Sequence, residues 1–406
     1  MTNIQKTYQR LQPFIKNIPL QLSEPLSHKY YANIYFKRED LQNTRSFKIR
    51  GSLNKIIKEY QKNPKLEVVC ASAGNHAQGV AFACHLLNIQ GNIFVPNIIP
   101  PQKQSRIKYF GQENINLILE GNTFNETLEK SLEFSLTKNH TFIHPYDDYD
   151  IIEGQSTIGY EINKELVPDY VICPIGGGGL ISGLYQSIPK SSQIIGCEPE
   201  GADSMLYALQ NNKPLTLPKL DNFVDGASVG KVGQKTFEIC RDIFSDLNNI
   251  KVISTNHVCH EMINMYQEEG IILEPAAALS ICALDKLDLE TIKNKNVVCI
   301  ISGGNNDVLR YPEIMEKNLI YLNRKHYYII EFTQKPKQLK KFISNVLTTE
   351  DDITRFEYIK KTNKSFGNVL IGLETNNHQL IEEKLSKNNF KFQKIKDTDL
   401  IYSYLI

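Results

Sequence analysis

The chain has 406 residues, 41% hydrophobic and 22% charged, with 46 basic and 45 acidic side chains and a net charge of +1. That composition suits a soluble globular protein with room for two or three domains. It gives nucleic acid and anionic membranes no electrostatic handle, and no apolar run reaches the roughly 18 residues that a bilayer span needs.

Residues 1–21 lack the basic, apolar and small-residue regions of a secretion signal. The eight cysteines are scattered, with no C-x-x-C pair, and several lie in apolar runs such as Val68-Val69-Cys70. They read as buried free thiols in a reducing cytoplasm. Residues 1–20 read as a helix followed by an extended Asn17-Ile18-Pro19-Leu20 entry, 30–37 as a strand and 51–62 as a helix. A regular alternation follows. Strands are expected at 66–70, 92–96, 115–119, 141–144, 170–174 and 193–198, with helices at 77–87, 102–110, 123–139, 156–166 and from 180 onward. Helices at 256–270 and 275–286 precede a last strand at 296–301. Short apolar strands alternating with helices predict an α/β fold of open, mostly parallel sheets covered on both faces. In such sheets ligands gather at the carboxyl ends of strands. Three glycine or serine turns follow strands, at 72–76, 176–179 and 302–304, and they are predicted to converge on one site.

The tail changes character near residue 324. It reads as strand 326–332, helix 337–347, strand 353–361, a turn at 363–367, strand 368–374, helix 380–388 and strand 390–395. This β-α-β-β-α-β order predicts a small ferredoxin-like α+β domain with an antiparallel sheet. The expected division is 1–322 and 326–406, with a smaller subdomain over about 52–145 inserted in the first part.

Four features carry chemistry. Lys48 lies in Ser46-Phe47-Lys48-Ile49-Arg50-Gly51, at a strand-to-helix junction. By itself it is one lysine among many, and a lysine turns nucleophilic only when desolvated or engaged as an imine. Gly176, Gly177, Gly178 and Gly179, followed by Leu180, end a strand and open a helix, a backbone nest suited to a phosphate. The run is neither a P-loop nor G-x-G-x-x-G. Ser72-Ala73-Gly74-Asn75-His76 offers backbone donors for a carboxylate and an amide for a ring oxygen, or else an ordinary helix cap, and His76 reads as structural. Ser302 is a neutral hydroxyl before two glycines, a position that also suits a plain turn residue. A phosphorylated aldehyde would use all four, and pyridoxal phosphate fits.

These stretches, with Glu274-Pro275 and Ser302-Gly303-Gly304-Asn305, resemble the fold-type-II pyridoxal-phosphate enzymes, most of all the threonine dehydratases. The tail, through His326-Tyr327-Tyr328-Ile329-Ile330-Glu331-Phe332 and residues 351–358, resembles the single ACT-like regulatory domain of the short biosynthetic form. The resemblance implies that Lys48 forms the internal imine and later moves the α-proton, with Phe47 beside the ring. It places Asn75 on the ring hydroxyl, 176–180 on the phosphate, Ser302 on the pyridine nitrogen and the 72–76 turn on the substrate carboxylate. The implied reaction is β-elimination of the hydroxyl of L-threonine to 2-oxobutanoate and ammonia, with L-serine also accepted, as the first step of isoleucine biosynthesis. Isoleucine or valine would act through the tail, in a homotetramer or homodimer. Serine does not keep the ring nitrogen protonated as a carboxylate would, which favours elimination over transamination. The cofactor phosphate would protonate the leaving hydroxide.

Some residues depart from family patterns. Ala73 stands where racemase relatives carry a hydroxyl, which argues against racemisation. Ser204, in Glu198-Pro199-Glu200-Gly201-Ala202-Asp203-Ser204, replaces a carboxylate that helps some relatives bind a divalent cation, so no required metal is expected. Gln334-Lys335-Pro336-Lys337 lacks the glycine common in the effector turn. The alternative within the fold is a serine dehydratase or racemase. A dinucleotide oxidoreductase would use Glu198 or Glu200 on a ribose but leaves Lys48 without a task. A non-catalytic amino-acid sensor built on the tail leaves both Lys48 and the glycine turn unexplained.

Overall fold

The computed structural model describes residues 2–358, 364–396 and 399–405. It divides into two compact units, Met1–Asn306 and Asp307–Ile406, a junction earlier than the 322–326 expected from the sequence. The helix Tyr311–Tyr321 accounts for the difference. It buries Ile314, and its Glu316 takes Lys325 at 3.1 Å and the Tyr327 hydroxyl, both on the first strand of the second unit.

The first unit holds ten strands in two sheets. They are β1 (Gln21–Leu22), β2 (Asn33–Arg38), β3 (Glu67–Ala71), β4 (Gln90–Val95), β5 (Ile115–Leu119), β6 (Thr141–Phe142), β7 (Tyr170–Pro174), β8 (Gln193–Pro199), β9 (Ile250–Ile253) and β10 (Asn296–Ile301). The larger sheet runs β1-β2-β10-β7-β8-β9 and the smaller β5-β4-β3-β6. Every pairing in them is parallel except that of the edge strand β1 with β2. Parallel strands need both faces covered, so their side chains are almost continuously apolar. In β10, Val297 to Ile301 are all fully buried. One core lies between Val171, Val298, Ile300 and the helices Tyr149–Glu165 and Gly179–Ser187. A second joins Val68, Val80 and Ile93 to Ile49, Leu53 and Ile56 of the helix Lys48–Lys62. Each such side chain contributes about 1.5–3 kcal/mol by leaving water.

One topological detail positions the site. The last strand of the unit, β10, inserts between β2 and β7. The chain segments leaving the carboxyl ends of those three neighbours are therefore adjacent, although they lie at about residues 39, 175 and 302. A crevice opens where strand order reverses in this way. The smaller sheet adds its own strand ends, at 72–76 after β3 and 143–147 after β6.

The second unit has β11 (Lys325–Thr333), β12 (Asp352–Tyr358), β13 (Phe366–Glu374) and β14 (Lys391–Lys394), in the order β12-β13-β11-β14. All its pairings are antiparallel, with the helices Gln338–Asn345 and His378–Lys387 as connections. This is the ferredoxin-like order expected. Phe332 stacks near Phe342 and Phe390, with ring centroids 5.7 and 5.5 Å away. The last residues of the strand expected at 353–361, and the start of the turn at 363, lie outside the described residues. Among those described, no helix is long and apolar enough to cross a membrane.

Elements missing from the sequence reading are short or weakly apolar: β1, β9 and the helices Glu24–Tyr30, Ser204–Gln210 and Gln234–Ile243. A two-residue edge strand shows no alternation to read.

Candidate active site

The helix expected to open at Gly51 instead opens at Lys48, with Phe47 as N-cap residue. The segment before it is clamped to the end of β10. Ser46 bridges Gly303, Phe47 N–H donates to Ser302 O at 3.0 Å, and Gly304 N–H donates to Arg45 O at 3.0 Å. This clamp joins Lys48 to Ser302 across more than half the chain. Lys48 Nζ donates to Pro145 O at 2.9 Å and lies 5.2 Å from the Phe47 ring centroid and 6.0 Å from that of Tyr146. Burial lowers its pKa to about 8, with Glu274 pulling the other way. Its amine can therefore lose a proton near neutrality, as a nucleophile requires.

Ser302 is 2% exposed, and among the described residues its Oγ has no hydrogen-bond partner. A buried hydroxyl left so costs about 1–3 kcal/mol, and such orphans mark places where a ligand supplies the missing bond.

The glycine run joins β7 to the helix Gly179–Ser187, in which Leu180 is buried. Gly178 has φ +88°, the left-handed region that disfavours other residues. A Cβ on Gly177 would fall inside the Tyr146 ring. The turn therefore has room for bare backbone only, packed beside Tyr146 with a helix N-terminus behind it. That is a cradle for an anion.

Asn75 is the first residue of the helix Asn75–Leu87. Its Nδ2 donates to both Glu274 oxygens, at 3.0 and 2.8 Å, and its Oδ1 accepts from Asn305 Nδ2 at 2.8 Å. The 72–76 turn thereby meets the 302–305 segment. Ser72 Oγ accepts from Gly74 N–H at 3.2 Å, and Ala73 packs on the apolar core. The His76 side chain points elsewhere. Its Nε2 bonds Ile143 O at 2.8 Å, and burial pulls its pKa down to about 3. Its ring is structural.

The helix Lys48–Lys62 is seated by a buried quartet. Arg50 Nε and Nη2 each donate to Glu39 at 2.8 Å, and Nη1 and Nη2 donate to Glu161 at 2.8 and 2.7 Å. Lys37 Nζ adds a 2.7 Å contact to Glu161. Two cations and two carboxylates balance with almost no exposure.

The chain matches the model of the family described as "Pyridoxal-phosphate dependent enzyme" over residues 11–303. The chain belongs to that family. Residues 316–405 match the "C-terminal regulatory domain of Threonine dehydratase". Among curated relatives, the chain is 45% identical over 406 residues to "L-threonine dehydratase biosynthetic IlvA" of Halalkalibacterium halodurans, covering 98% of this chain and 97% of that one. It is 41% identical over 409 residues to the protein of the same name from Bacillus subtilis, covering 98% and 96%. Among solved structures, the processed form of threonine deaminase isoform 2 from Solanum lycopersicum superposes with a TM-score of 0.71 at 34% identity, covering 78% of this chain and 93% of that one.

The residues present fit the cofactor of this family. Three of the four features a pyridoxal-phosphate enzyme needs stand at adjacent strand ends: a lysine amine of lowered pKa, a turn that only glycine backbone fits and an orphaned buried hydroxyl. The fourth, the Asn75 amide, is tied into the same cluster.

In the segment at 198–204, Glu198 and Ser204 are engaged by the fold, whereas Glu200 is exposed. Glu198 accepts the N–H groups of Met205 and Leu206, at 2.7 and 2.8 Å, and Ser204 Oγ donates to Val229 O. Elsewhere, His257, Glu261 and Asp285 offer ligand atoms within 4.8 Å of one another. Asp285 already receives the Tyr30 hydroxyl at 2.6 Å, Lys29 at 3.3 Å and His257 at 3.1 Å. That is a satisfied network rather than an open metal site.

Sequence reasoning missed the working partners of its own residues. Pro145 and Tyr146 were passed over, and Arg50, Glu274 and Asn305 entered only as parts of motifs. Asn75 and Glu274 are 199 positions apart, and nothing local pairs them.

Proposed function

We propose that the chain is a biosynthetic threonine dehydratase, converting L-threonine to 2-oxobutanoate and ammonia and acting also on L-serine. The observation that carries this is the pairing of a desolvated Lys48 amine with the unpartnered Ser302 hydroxyl, in a chain that matches dehydratases across both units. In this reading Lys48 anchors the cofactor, the backbone of 176–180 holds its phosphate, Asn75 bonds its ring oxygen and Ser302 its ring nitrogen. Pyridoxal phosphate, when bound, supplies an aldehyde for the substrate amine and an electron-withdrawing ring.

The chain's own groups do the rest. The 72–76 turn opens a helix, so its backbone N–H groups suit the substrate carboxylate. Once released from the cofactor, Lys48 Nζ takes the α-proton, and its lowered pKa suits that role near neutral pH. Ser302 donates or accepts one hydrogen bond without carrying charge. It would leave the nitrogen of a bound ring less protonated than a carboxylate would, which favours loss of the β-hydroxyl over transamination. Phe47 and Tyr146 flank the Lys48 amine with apolar surface and keep it desolvated. The ferredoxin-like unit is the regulatory element, with isoleucine or valine as its ligand.

The test is turnover of L-threonine, L-serine and D-serine by the purified protein. Release of 2-oxobutanoate from L-threonine at a higher kcat/KM than pyruvate from L-serine supports the proposal. Interconversion of L- and D-serine faster than either elimination would replace it with the racemase reading. Threonine turnover that does not respond to isoleucine or valine would remove the regulatory part alone.

A further inference from the structure

The roles above give Asn75 a cofactor contact but leave Glu274 without one. Glu274 precedes Pro275, so its backbone is extended (φ −75°, ψ 155°) at the start of the helix Pro275–Cys282. An N-terminal glutamate there would ordinarily turn back onto the helix amides, but this side chain makes no capping bond. It enters the site instead, 5% exposed, and lies so close over Gly303 that a Cβ on that glycine would stand 2.5 Å from Oε1. That contact accounts for the glycine directly after Ser302.

The carboxylate, Asn75 and Asn305 form a closed ring. Asn75 Nδ2 donates to Glu274, Asn305 Nδ2 donates to Asn75 Oδ1, and Asn305 backbone N–H donates to Glu274. Asn305 is itself held by Thr44 O at 2.8 Å. Two choices of amide orientation exist for any asparagine, and its neighbours decide between them. Here an anionic acceptor on one side and an amide donor on the other select one. The charged groups facing Glu274 are Asp225, which raises its pKa, and Lys48, which lowers it. Lys103 pairs with Asp225 at 2.8 Å. Burial is the largest influence and raises the Glu274 pKa to about 7.

We propose that Glu274 is a positioning residue for the reaction, fixing the Asn75 amide with its NH2 edge locked and its orientation set by the Glu274 charge. This rests on the dehydratase reading only for its kinetic arm. Protonation converts the acceptor of the ring into a donor–acceptor group. The Asn75 amide then keeps only the Asn305 bond to set its orientation, and its contact to the ring oxygen weakens. The carboxyl thus couples the electronics of the bound ring to pH in the neutral range, through Asn75 and without touching substrate.

The experiment compares wild type, E274Q and E274D in three measurements. The first is an infrared titration of the apoprotein. A protonated-carboxyl band that disappears with a midpoint near pH 7 in wild type, and that E274Q lacks, is expected. Second, the visible absorption band of the holoenzyme should shift with pH in wild type, not in E274Q, and with a displaced midpoint in E274D. Third, replacing a charge-assisted hydrogen bond by a neutral one should lower kcat about 10- to 100-fold, with KM changed less than about threefold. An E274Q holoenzyme with the wild-type band, its wild-type pH dependence and unchanged kcat would overturn the proposal. If E274Q does not fold, E274D with an undisplaced midpoint overturns it. If wild type shows no threonine turnover, the dehydratase reading fails, and the two spectroscopic titrations still decide the role of Glu274.

Discussion

Arg50→Ala is the sharpest structural perturbation available near the site. Arg50 is completely buried, and four of its hydrogen bonds, 2.7–2.8 Å long, go to Glu39 and Glu161. It lies two residues past Lys48, and its partners come from the short turn after β2 and from the helix Tyr149–Glu165. Alanine leaves two buried carboxylates with only the Lys37 amine, which of the two reaches Glu161 and not Glu39. Removing one partner from such a network costs about 3–5 kcal/mol, chiefly because a charge is left buried without compensation. That is about a fifth or more of the stability of an ordinary domain. At roughly 2 °C per kcal/mol for a unit of this size, the melting temperature should fall by about 6–10 °C. The assay is thermal and urea unfolding, followed by near-ultraviolet dichroism. The double variant Arg50→Ala/Glu39→Gln separates the causes, because it removes the carboxylate that Lys37 does not reach. It should recover at least about 1 kcal/mol over Arg50→Ala, whereas pure loss of packing predicts no recovery. Arg50→Lys, which keeps charge but loses the fork, should fall between wild type and alanine. A cost below about 1 kcal/mol, or a double variant no more stable than the single, would refute the reasoning.

Other outcomes follow from the same geometry. Gly177→Ala sets a methyl against the Tyr146 ring, so cofactor affinity should fall at least about tenfold in equilibrium dialysis, a loss of about 1.4 kcal/mol, while the fold survives. Cofactor capture by the apoprotein needs the neutral Lys48 amine. Its rate should rise about tenfold per pH unit and level off near pH 8, whereas an unperturbed lysine would carry the rise to about pH 10. Lys337 holds a left-handed backbone, φ 71°, in the turn where the sequence lacks a glycine. Lys337→Gly should raise the unfolding free energy of the second unit by up to about 1 kcal/mol and should strengthen the response to isoleucine if the side chain crowds that turn.

The architecture was legible where patterns are local. β5, β7 and β10 begin and end where their apolar runs do, and the tail shows its six elements in order. The strand-end turns at 72–76, 176–179 and 302–304 were recognisable because glycine and serine after an apolar strand have a backbone reason. What escaped notice depends on pairs far apart in the chain. The insertion of β10 between β2 and β7 is a tertiary choice, and it alone brings Lys48 to Ser302. Glu274 stands beside Pro275 in the sequence, and nothing local shows that its carboxylate reaches Asn75. Nothing around Arg50 in the sequence marks its guanidinium as the centre of a buried ion network. Tyr146 stands in a segment with no periodicity, and its role comes from packing on glycines about 30 residues later. The left-handed Lys337 is the reverse case. The missing glycine was noted in the sequence, and the backbone keeps a glycine's conformation without one.

The most direct test of the central assignment is borohydride reduction of the holoenzyme followed by peptide mass spectrometry. The account predicts a single pyridoxyl group on the peptide containing Lys48, loss of the visible band on reduction, and neither band nor label in a folded Lys48→Ala variant. A label on another lysine, or a folded protein that takes up no cofactor, would contradict it.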